Sequence, residues 1–162
     1  MKTPLVSVYI TNHNYGKFID QSIKSVLGQT LTDFELIIID DGSTDNSKEI
    51  IESYARMPGV ITIFQKNKGL NVTNNIALRA ARGKYIVRLD ADDYLDENAL
   101  KILADTMERD PEIGLVFPDY YHVSESGEIL EIVRRHDFEK GSLHDQPAHG
   151  ACTMIRKKFL EE

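Results

Sequence analysis

The apolar residues of this chain follow two spacings, one typical of buried strands and one typical of amphipathic helices. Short, nearly continuous apolar runs predict strands at residues 5–11, 34–40, 60–65 and 85–89. Helical spacing fills the segments between these runs and predicts helices at residues 18–27, 46–55, 72–81 and 96–110. This alternation predicts an α/β fold, a doubly wound and mostly parallel sheet with helices on both faces.

The last third of the chain is less regular. Residues 115–123 and 129–133 predict a hairpin around Ser126-Gly127, and residues 152–155 predict a further strand. Residues 134–150 have no clear period and predict a loop over the same edge of the sheet. Asn46, followed by Glu49 three residues later, has the form of a capping box. We expect residues 1–162 to form a single domain.

Composition and charge narrow the function. The chain carries 19 basic and 26 acidic side chains, a net charge of −7, which argues against a nucleic-acid partner because such a surface needs a basic stripe. Cys152 is the single cysteine, so no intrachain disulfide is possible. The sequence shows neither a signal-peptide core nor an apolar run near the ~20 residues of a membrane span. We therefore expect a cytoplasmic protein with no transmembrane segment.

Polar residues end three of the predicted strands. Ligands of open α/β sheets bind beyond the carboxyl ends of the strands, so these segments predict the site. They read Thr11-Asn12-His13-Asn14, Asp40-Asp41-Gly42-Ser43 and Asp90-Ala91-Asp92-Asp93.

The third segment concentrates negative charge. Asp90, Asp92 and Asp93 lie directly after an apolar strand, and carboxylates this close repel one another unless a cation is present. Mg²⁺ or Mn²⁺, held by one or two carboxylates and by substrate phosphates, would relieve the repulsion. The alternative is that Asp93 or Asp96 caps the following helix and that the other carboxylates are solvated.

The first two segments fit a nucleobase. A carboxylate after the second strand can accept the N3–H of uracil, and Gly42 permits close approach by a nucleotide. The alternative is an ordinary polar turn that uses Ser43, Asp45 or Asn46 as turn and cap residues. Thr11 offers a backbone amide to the base, and His13 offers a ring for stacking, although a lone histidine is usually a surface side chain.

Taken together, these segments and their order resemble the family 2 glycosyltransferases, whose N-terminal half has the GT-A fold. The resemblance runs from about Pro4 to the end of the chain. The matching segments are Val6-Ser7-Val8, Asn12-His13-Asn14, Ser25-Val26-Leu27-Gly28-Gln29-Thr30, Phe34-Glu35-Leu36, Ile39-Asp40-Asp41-Gly42-Ser43-Thr44-Asp45, Asn67-Lys68-Gly69, Ala81-Arg82-Gly83-Lys84-Tyr85-Ile86 and Leu89-Asp90-Ala91-Asp92-Asp93.

The resemblance implies a role for each matching residue. Asp41 would bind the nucleobase with Asp40 beside it, and Thr11 and His13 would line the base pocket. Asp92 would bind the metal through the diphosphate, and Asp90 would hold the ribose or belong to the metal shell. The loop with Lys68 and Gly69 would pass near the uracil and the phosphates. Asn74 would lie at the nucleotide, where the family commonly has an arginine.

The implied activity is transfer of a sugar from a UDP-sugar to an acceptor hydroxyl, with inversion and with Mn²⁺ or Mg²⁺. The acceptor would be a glycan or a lipid-linked molecule, within polysaccharide biosynthesis, and the intact protein could contact a membrane peripherally. The family's catalytic base is expected beyond Glu162. If it lies within the chain, Asp137, Glu139, Asp145 and His149 are the candidates.

Two alternatives to a glycosyltransferase remain. One is a non-catalytic module that binds nucleotide sugars. The other is a nucleotidyltransferase, which would ordinarily show a glycine-rich phosphate loop with a basic residue after the first strand. Here that turn reads Asn12-His13-Asn14-Tyr15-Gly16-Lys17, a poor match.

Overall fold

The computed structural model describes residues 3–134 and 151–160. Its strands are β1 (Val6–Asn12), β2 (Phe34–Asp41), β3 (Val60–Gln65), β4 (Tyr85–Asp90), β5 (Leu115–Val116), β6 (Tyr120–Val123), β7 (Ile129–Val133) and β8 (Met154–Arg156). Its helices are α1 (Ile19–Leu27), α2 (Ser47–Tyr54), α3 (Leu70–Ala80) and α4 (Ala99–Arg109), and a 3₁₀ helix follows β8 at Lys157–Leu160.

Six strands form one sheet in the order β3-β2-β1-β4-β8-β5. The first four in this order run parallel to one another, whereas β8 runs antiparallel to both β4 and β5. All but the first residue of β2 are buried, as its continuous apolar run predicts for a strand covered on both faces. The predicted α/β fold with a mostly parallel sheet is confirmed.

Helices cover both faces of this sheet, as predicted. On one face, apolar side chains of α1, α2 and α4 pack against β1, β2 and β4 in the larger core cluster, which includes Ile23, Ile51 and Leu103. On the other face, α3 packs Ala77 against Tyr9 and Ile37. None of the helices in the two described stretches is long and apolar enough to cross a membrane.

The predicted hairpin is correct only in its second half. Residues 115–123 form two strands rather than one: β5 joins the main sheet, and only β6 pairs with β7. Pro118 lies between β5 and β6, where it cannot donate a backbone hydrogen bond. The turn around Ser126-Gly127 is confirmed, with the N–H of Ser124 donating to the carbonyl of Glu128 at 2.9 Å.

Two helix starts differ from the prediction. The side chain of Asn46 makes no capping hydrogen bond, so the capping box is wrong; Asp45 Oδ1 instead accepts from the N–H of Ser47. The last helix begins at Ala99 rather than at Asp96, because Asp96 Oδ1 accepts from the N–H of Asn98 and holds the preceding residues in a turn.

An ion pair between the buried carboxylate of Glu35 and the half-exposed side chain of Arg82 joins the strands at the amino-terminal edge of the sheet. Glu35 is 1% exposed, and its Oε1 accepts from Ser7 Oγ at 2.6 Å and from the N–H of Arg82 at 2.7 Å. Its Oε2 accepts from Arg82 Nε and Nη2. A Cβ on Gly83 would lie 2.5 Å from the backbone nitrogen of Ser7, so only glycine fits there. These contacts fix β1, β2 and β4 to one another at the edge opposite the predicted site.

Candidate functional site

A cleft of about 320 Å³ opens at the carboxyl ends of β1, β2 and β4. It brings together five residues that the sequence predicts for the site: Thr11, His13, Asp41, Asp90 and Asp92. The other described residues of its lining are Tyr15, Leu70, Thr73, Arg88 and Ala91. The strand ends therefore meet at one place, and carboxylates from β2 and from the turn after β4 share it.

Asp41 is the carboxylate that ties the β3–α3 loop to β2. Its Oδ1 accepts from Gln65 Nε2 at 2.7 Å and from the N–H of Lys68 at 2.8 Å, and its Oδ2 accepts from the N–H of Gly69 at 2.8 Å. Burial acts to raise the pKa of Asp41, but these hydrogen bonds outweigh it and hold the pKa below its usual value. Two carboxylate oxygens offer about four acceptor positions; these three hydrogen bonds use two on Oδ1 and one on Oδ2, and the hydroxyl of Thr73 also acts to lower the pKa of Asp41.

Asp40 has a different role from its neighbour. It is 3% exposed and is absent from the described lining of the cleft. Its Oδ2 accepts from Asn12 Nδ2 and its Oδ1 from the N–H of Ser43, both at 2.9 Å. Its carboxylate is turned inward and joins the end of β1 to the β2–α2 turn, and the predicted nucleotide contact of Asp40 stays a prediction.

Three further predicted residues also fall outside the described cleft lining. Lys68 and Gly69 contribute backbone N–H groups to Asp41 rather than side-chain contacts in the cleft. Asn74 is half-buried on α3, and its Oδ1 is buried with no hydrogen-bond partner among the described residues. The predicted ligand contacts of these three residues remain predictions.

His13 links the same loops. Its Nδ1 lies 2.9 Å from the carbonyl oxygen of Asp41, and because a carbonyl only accepts, Nδ1 carries the hydrogen. In the neutral ring Nε2 is then an acceptor for Asn67 Nδ2, at 3.2 Å. The imidazole is therefore held by the end of β2 and by the β3–α3 loop.

Gly42 permits a close approach by the backbone of the β3–α3 loop. Its φ is +76°, and a Cβ there would lie 2.6 Å from the backbone nitrogen of Asn67. The glycine lets the β3–α3 loop pack onto the β2–α2 turn. The expected approach of a nucleotide at this residue stays a prediction.

The acidic turn after β4 separates its carboxylates. Asp90 is engaged by Arg88, whose Nε and Nη2 donate to Oδ1 and Oδ2, both at 2.9 Å. Asp92 is exposed and makes no hydrogen bond or ion pair with any residue in the described parts of the chain. Asp93 is outside the cleft lining in those parts, and its N–H donates to the carbonyl of Asp90.

The donor set of this turn fits a hard divalent cation that is shared with a ligand. In residues 3–134 and 151–160, no three His, Cys, Asp or Glu side chains converge as a complete metal cage. Magnesium usually needs only one or two carboxylates when substrate phosphates and water supply its other ligands. Asp92 can provide such a carboxylate at the cleft, with Asp90 two residues away.

The sequence did not single out Arg88 or Tyr15. Arg88 interrupts an otherwise apolar buried strand, and a charge at such a position is rare unless it is paired. That interruption was the available signal. Tyr15 is 41% exposed in the loop after β1, where no periodicity distinguishes a ligand-facing ring from a surface ring.

Comparison with known proteins identifies the family. Residues 7–162 match the family model described as glycosyl transferase family 2. The chain belongs to this family. The match covers both the cleft and the sheet that carries it.

Curated relatives of the chain include a chondroitin synthase and a hyaluronan synthase. It is 40% identical over 130 residues to the chondroitin synthase of Escherichia coli, a match that covers 80% of this chain and 19% of that protein. It is 35% identical over 130 residues to the hyaluronan synthase of Pasteurella multocida, covering 80% of this chain and 13% of the relative. The chain thus spans less than a fifth of the length of these relatives.

Solved structures show the same fold. S. aureus TarS 1–349, in a complex with UDP-GlcNAc, superposes with a TM-score of 0.77 at 21% identity, over 96% of this chain and 46% of that one. The mannosyltransferase PcManGT of Pyrobaculum calidifontis, in complex with GDP-Man and Mn²⁺, gives a TM-score of 0.75 at 20% identity, over 99% and 47% of the two chains. The GT-A-like architecture is confirmed.

Proposed function

We propose that this family 2 glycosyltransferase binds a UDP-sugar and a divalent cation and transfers the sugar to an acceptor hydroxyl with inversion. Residues 1–162 would act as one donor-binding domain in the cytoplasm. The observation that carries the proposal is the shared cleft, which is lined by the hydrogen-bonded carboxylate of Asp41 and by the unpaired carboxylate of Asp92.

The hydrogen bonds of Asp41 favour uracil over the other bases. Uracil presents a single N3–H donor, and Oδ2, which accepts one backbone N–H where Oδ1 accepts two donors, is the oxygen better able to accept it. Guanine presents two adjacent N–H donors on the corresponding edge, and a carboxylate takes both only when both of its oxygens are available. Oδ1 already accepts from Gln65 and Lys68. Thr11 and His13 would line the same base pocket.

Asp92 would hold Mn²⁺ or Mg²⁺ against the donor diphosphate, with Asp90 in the surrounding shell. The Mn²⁺ of PcManGT and the UDP-GlcNAc of TarS support a metal and a nucleotide sugar for this fold. When bound, the cation would neutralise charge that develops on the departing diphosphate.

The transfer itself exchanges one carbon–oxygen bond for another. The acceptor oxygen attacks the anomeric carbon from the side opposite the diphosphate, and the bond to the diphosphate breaks with its electron pair leaving on UDP. The acceptor proton passes to a general base. The candidate bases Asp137, Glu139, Asp145 and His149 lie outside the described residues, as does any base beyond Glu162. The names of the related synthases support a glycan acceptor; a lipid-linked acceptor is the other candidate.

Calorimetric titration tests donor recognition directly. The chain would be titrated with UDP, ADP and GDP, each with Mn²⁺ and again with a chelator. We expect UDP to bind most tightly, and its affinity to fall at least about tenfold in chelator, since one tenfold step corresponds to about 1.4 kcal/mol. Equal affinities for the three nucleotides would defeat the uracil assignment.

A further inference from the structure

The described lining of the cleft contains one side chain with a permanent positive charge. Three carboxylates, those of Asp41, Asp90 and Asp92, line it, and Arg88 is the one lysine or arginine among the described residues that do so. A nucleoside diphosphate carries its negative charge on the diphosphate. A ligand of this kind would be repelled by the carboxylates unless positive charge is brought to the same place.

Arg88 is held in a defined position within the cleft. It lies on β4 opposite Tyr9 of β1, and it shares a face of the strand with Asp90, two residues further on. The two parallel hydrogen bonds to Asp90 fix the plane of the guanidinium group. The side chain of Arg88 is 20% exposed, so its stem is largely packed while its end reaches the cleft.

The pair with Asp90 leaves most of the donor capacity of Arg88 unused. A guanidinium group has five N–H donors, and Asp90 takes one from Nε and one from Nη2. Nη1 makes no hydrogen bond with the described parts of the chain. A planar group with several free donors suits phosphate oxygens, which it can contact through more than one bond.

We propose that Arg88 is a diphosphate-binding residue of the donor site and that Asp90 holds its guanidinium group in place. The inference rests on the proposed function, because it assumes that a nucleoside diphosphate occupies the cleft. In this arrangement Asp90 is mainly a positioning residue for Arg88, and Asp92 is the carboxylate left for the cation. The donor diphosphate would then contact the guanidinium group of Arg88 as well as a metal ion.

The test compares UDP with uridine in the presence of a chelator, so that the metal makes no contribution. Uridine presents the same base and ribose but no diphosphate. We expect the wild-type chain to bind UDP more tightly than uridine, and R88Q to lose about tenfold or more in UDP affinity while its uridine affinity stays unchanged. R88K should recover part of the difference, because lysine supplies the charge without the planar fork.

R79Q is the matched control. Arg79 is exposed in the last turn of α3, so this substitution removes the same charge outside the cleft and should leave both affinities at the wild-type values. An unchanged ratio of UDP to uridine affinity in R88Q would overturn the inference while leaving the proposed function intact. Equal losses for UDP and uridine in both R88Q and R88K would also overturn it, since they would show a purely structural role. Failure of the wild-type chain to bind UDP, with or without Mn²⁺, would instead defeat the proposed function and this inference with it.

Discussion

Replacement of Asp41 by asparagine isolates the contact with the nucleobase. In the wild-type chain, Oδ1 accepts two hydrogen bonds and Oδ2 accepts one, from the N–H of Gly69. Asparagine has a single oxygen, which would stay at the Oδ1 position to serve Gln65 and Lys68. Its NH₂ group would then face both the N–H of Gly69 and the N3–H of uracil, so that donors would oppose donors.

The loss can be estimated from the contact that disappears. A hydrogen bond to a charged group contributes roughly 1.5–3 kcal/mol, so Asp41→Asn should weaken UDP binding about 10- to 150-fold. Mn²⁺ affinity should be unchanged, because Asp92 comes from a different strand end. Calorimetry with UDP and with Mn²⁺ measures both effects. Asp105→Asn, on the exposed surface of α4, is the matched control for charge. A UDP affinity within about threefold of wild type, or a loss of Mn²⁺ binding, would refute this partition of roles.

Two further substitutions address the metal and the fold. Asp92→Asn should abolish the Mn²⁺ dependence of UDP binding, because an amide is a poorer ligand for a hard cation. A Mn²⁺ titration followed by electron paramagnetic resonance measures this effect. An unchanged dependence would assign the cation to another carboxylate. Glu35→Gln should lower the free energy of unfolding at pH 7 by about 1.5–3 kcal/mol, measured by urea titration, because Arg82 and Ser7 lose a charged acceptor. Burial acts to raise the pKa of Glu35, but the hydrogen bonds from Ser7 and Arg82 prevail and lower it. The stabilisation is therefore present above the unfolded pKa of about 4.3 and is lost as the pH falls through the lower folded value, so the two chains should converge in strongly acidic buffer. A difference that is independent of pH would contradict this account.

The parallel half of the sheet was predictable because its strands are buried on both faces. The signals for these elements lie in the local sequence. Apolar runs mark the strands at residues 34–40 and 85–89, and the glycine at residue 28 marks the end of a helix. The placement of β8 was not predictable in the same way. Leu115–Val116 and Met154–Arg156 are short, and strand propensity alone does not specify a partner. Their pairing depends on packing across the whole sheet.

The sequence predicts which strand ends form the site, but it does not predict which side chains face the cleft. Asp40 and Asp41 are adjacent, and side chains in a strand alternate between faces. The sequence alone does not say which of the two carboxylates faces the cleft; in the structure it is Asp41. Arg88 was missed because its role depends on two features that act together: its position on the same face as Asp90 and the absence of other cations in the described lining.

The antiparallel strand β8 occupies an internal position in the sheet although it is synthesised after the strands on either side of it. It lies between β4 and β5, although it is the last strand of the described chain to leave the ribosome. Until Met154 emerges, β4 keeps an open edge beside the cleft-forming strands, and β5 lacks its partner in the sheet. The carbonyls of Met107 and Asp110 at the end of α4 also lack the hydrogen bonds from the guanidinium group of Arg156 until that residue is synthesised. A nascent chain would therefore expose an unpaired strand edge until this late insertion closes it.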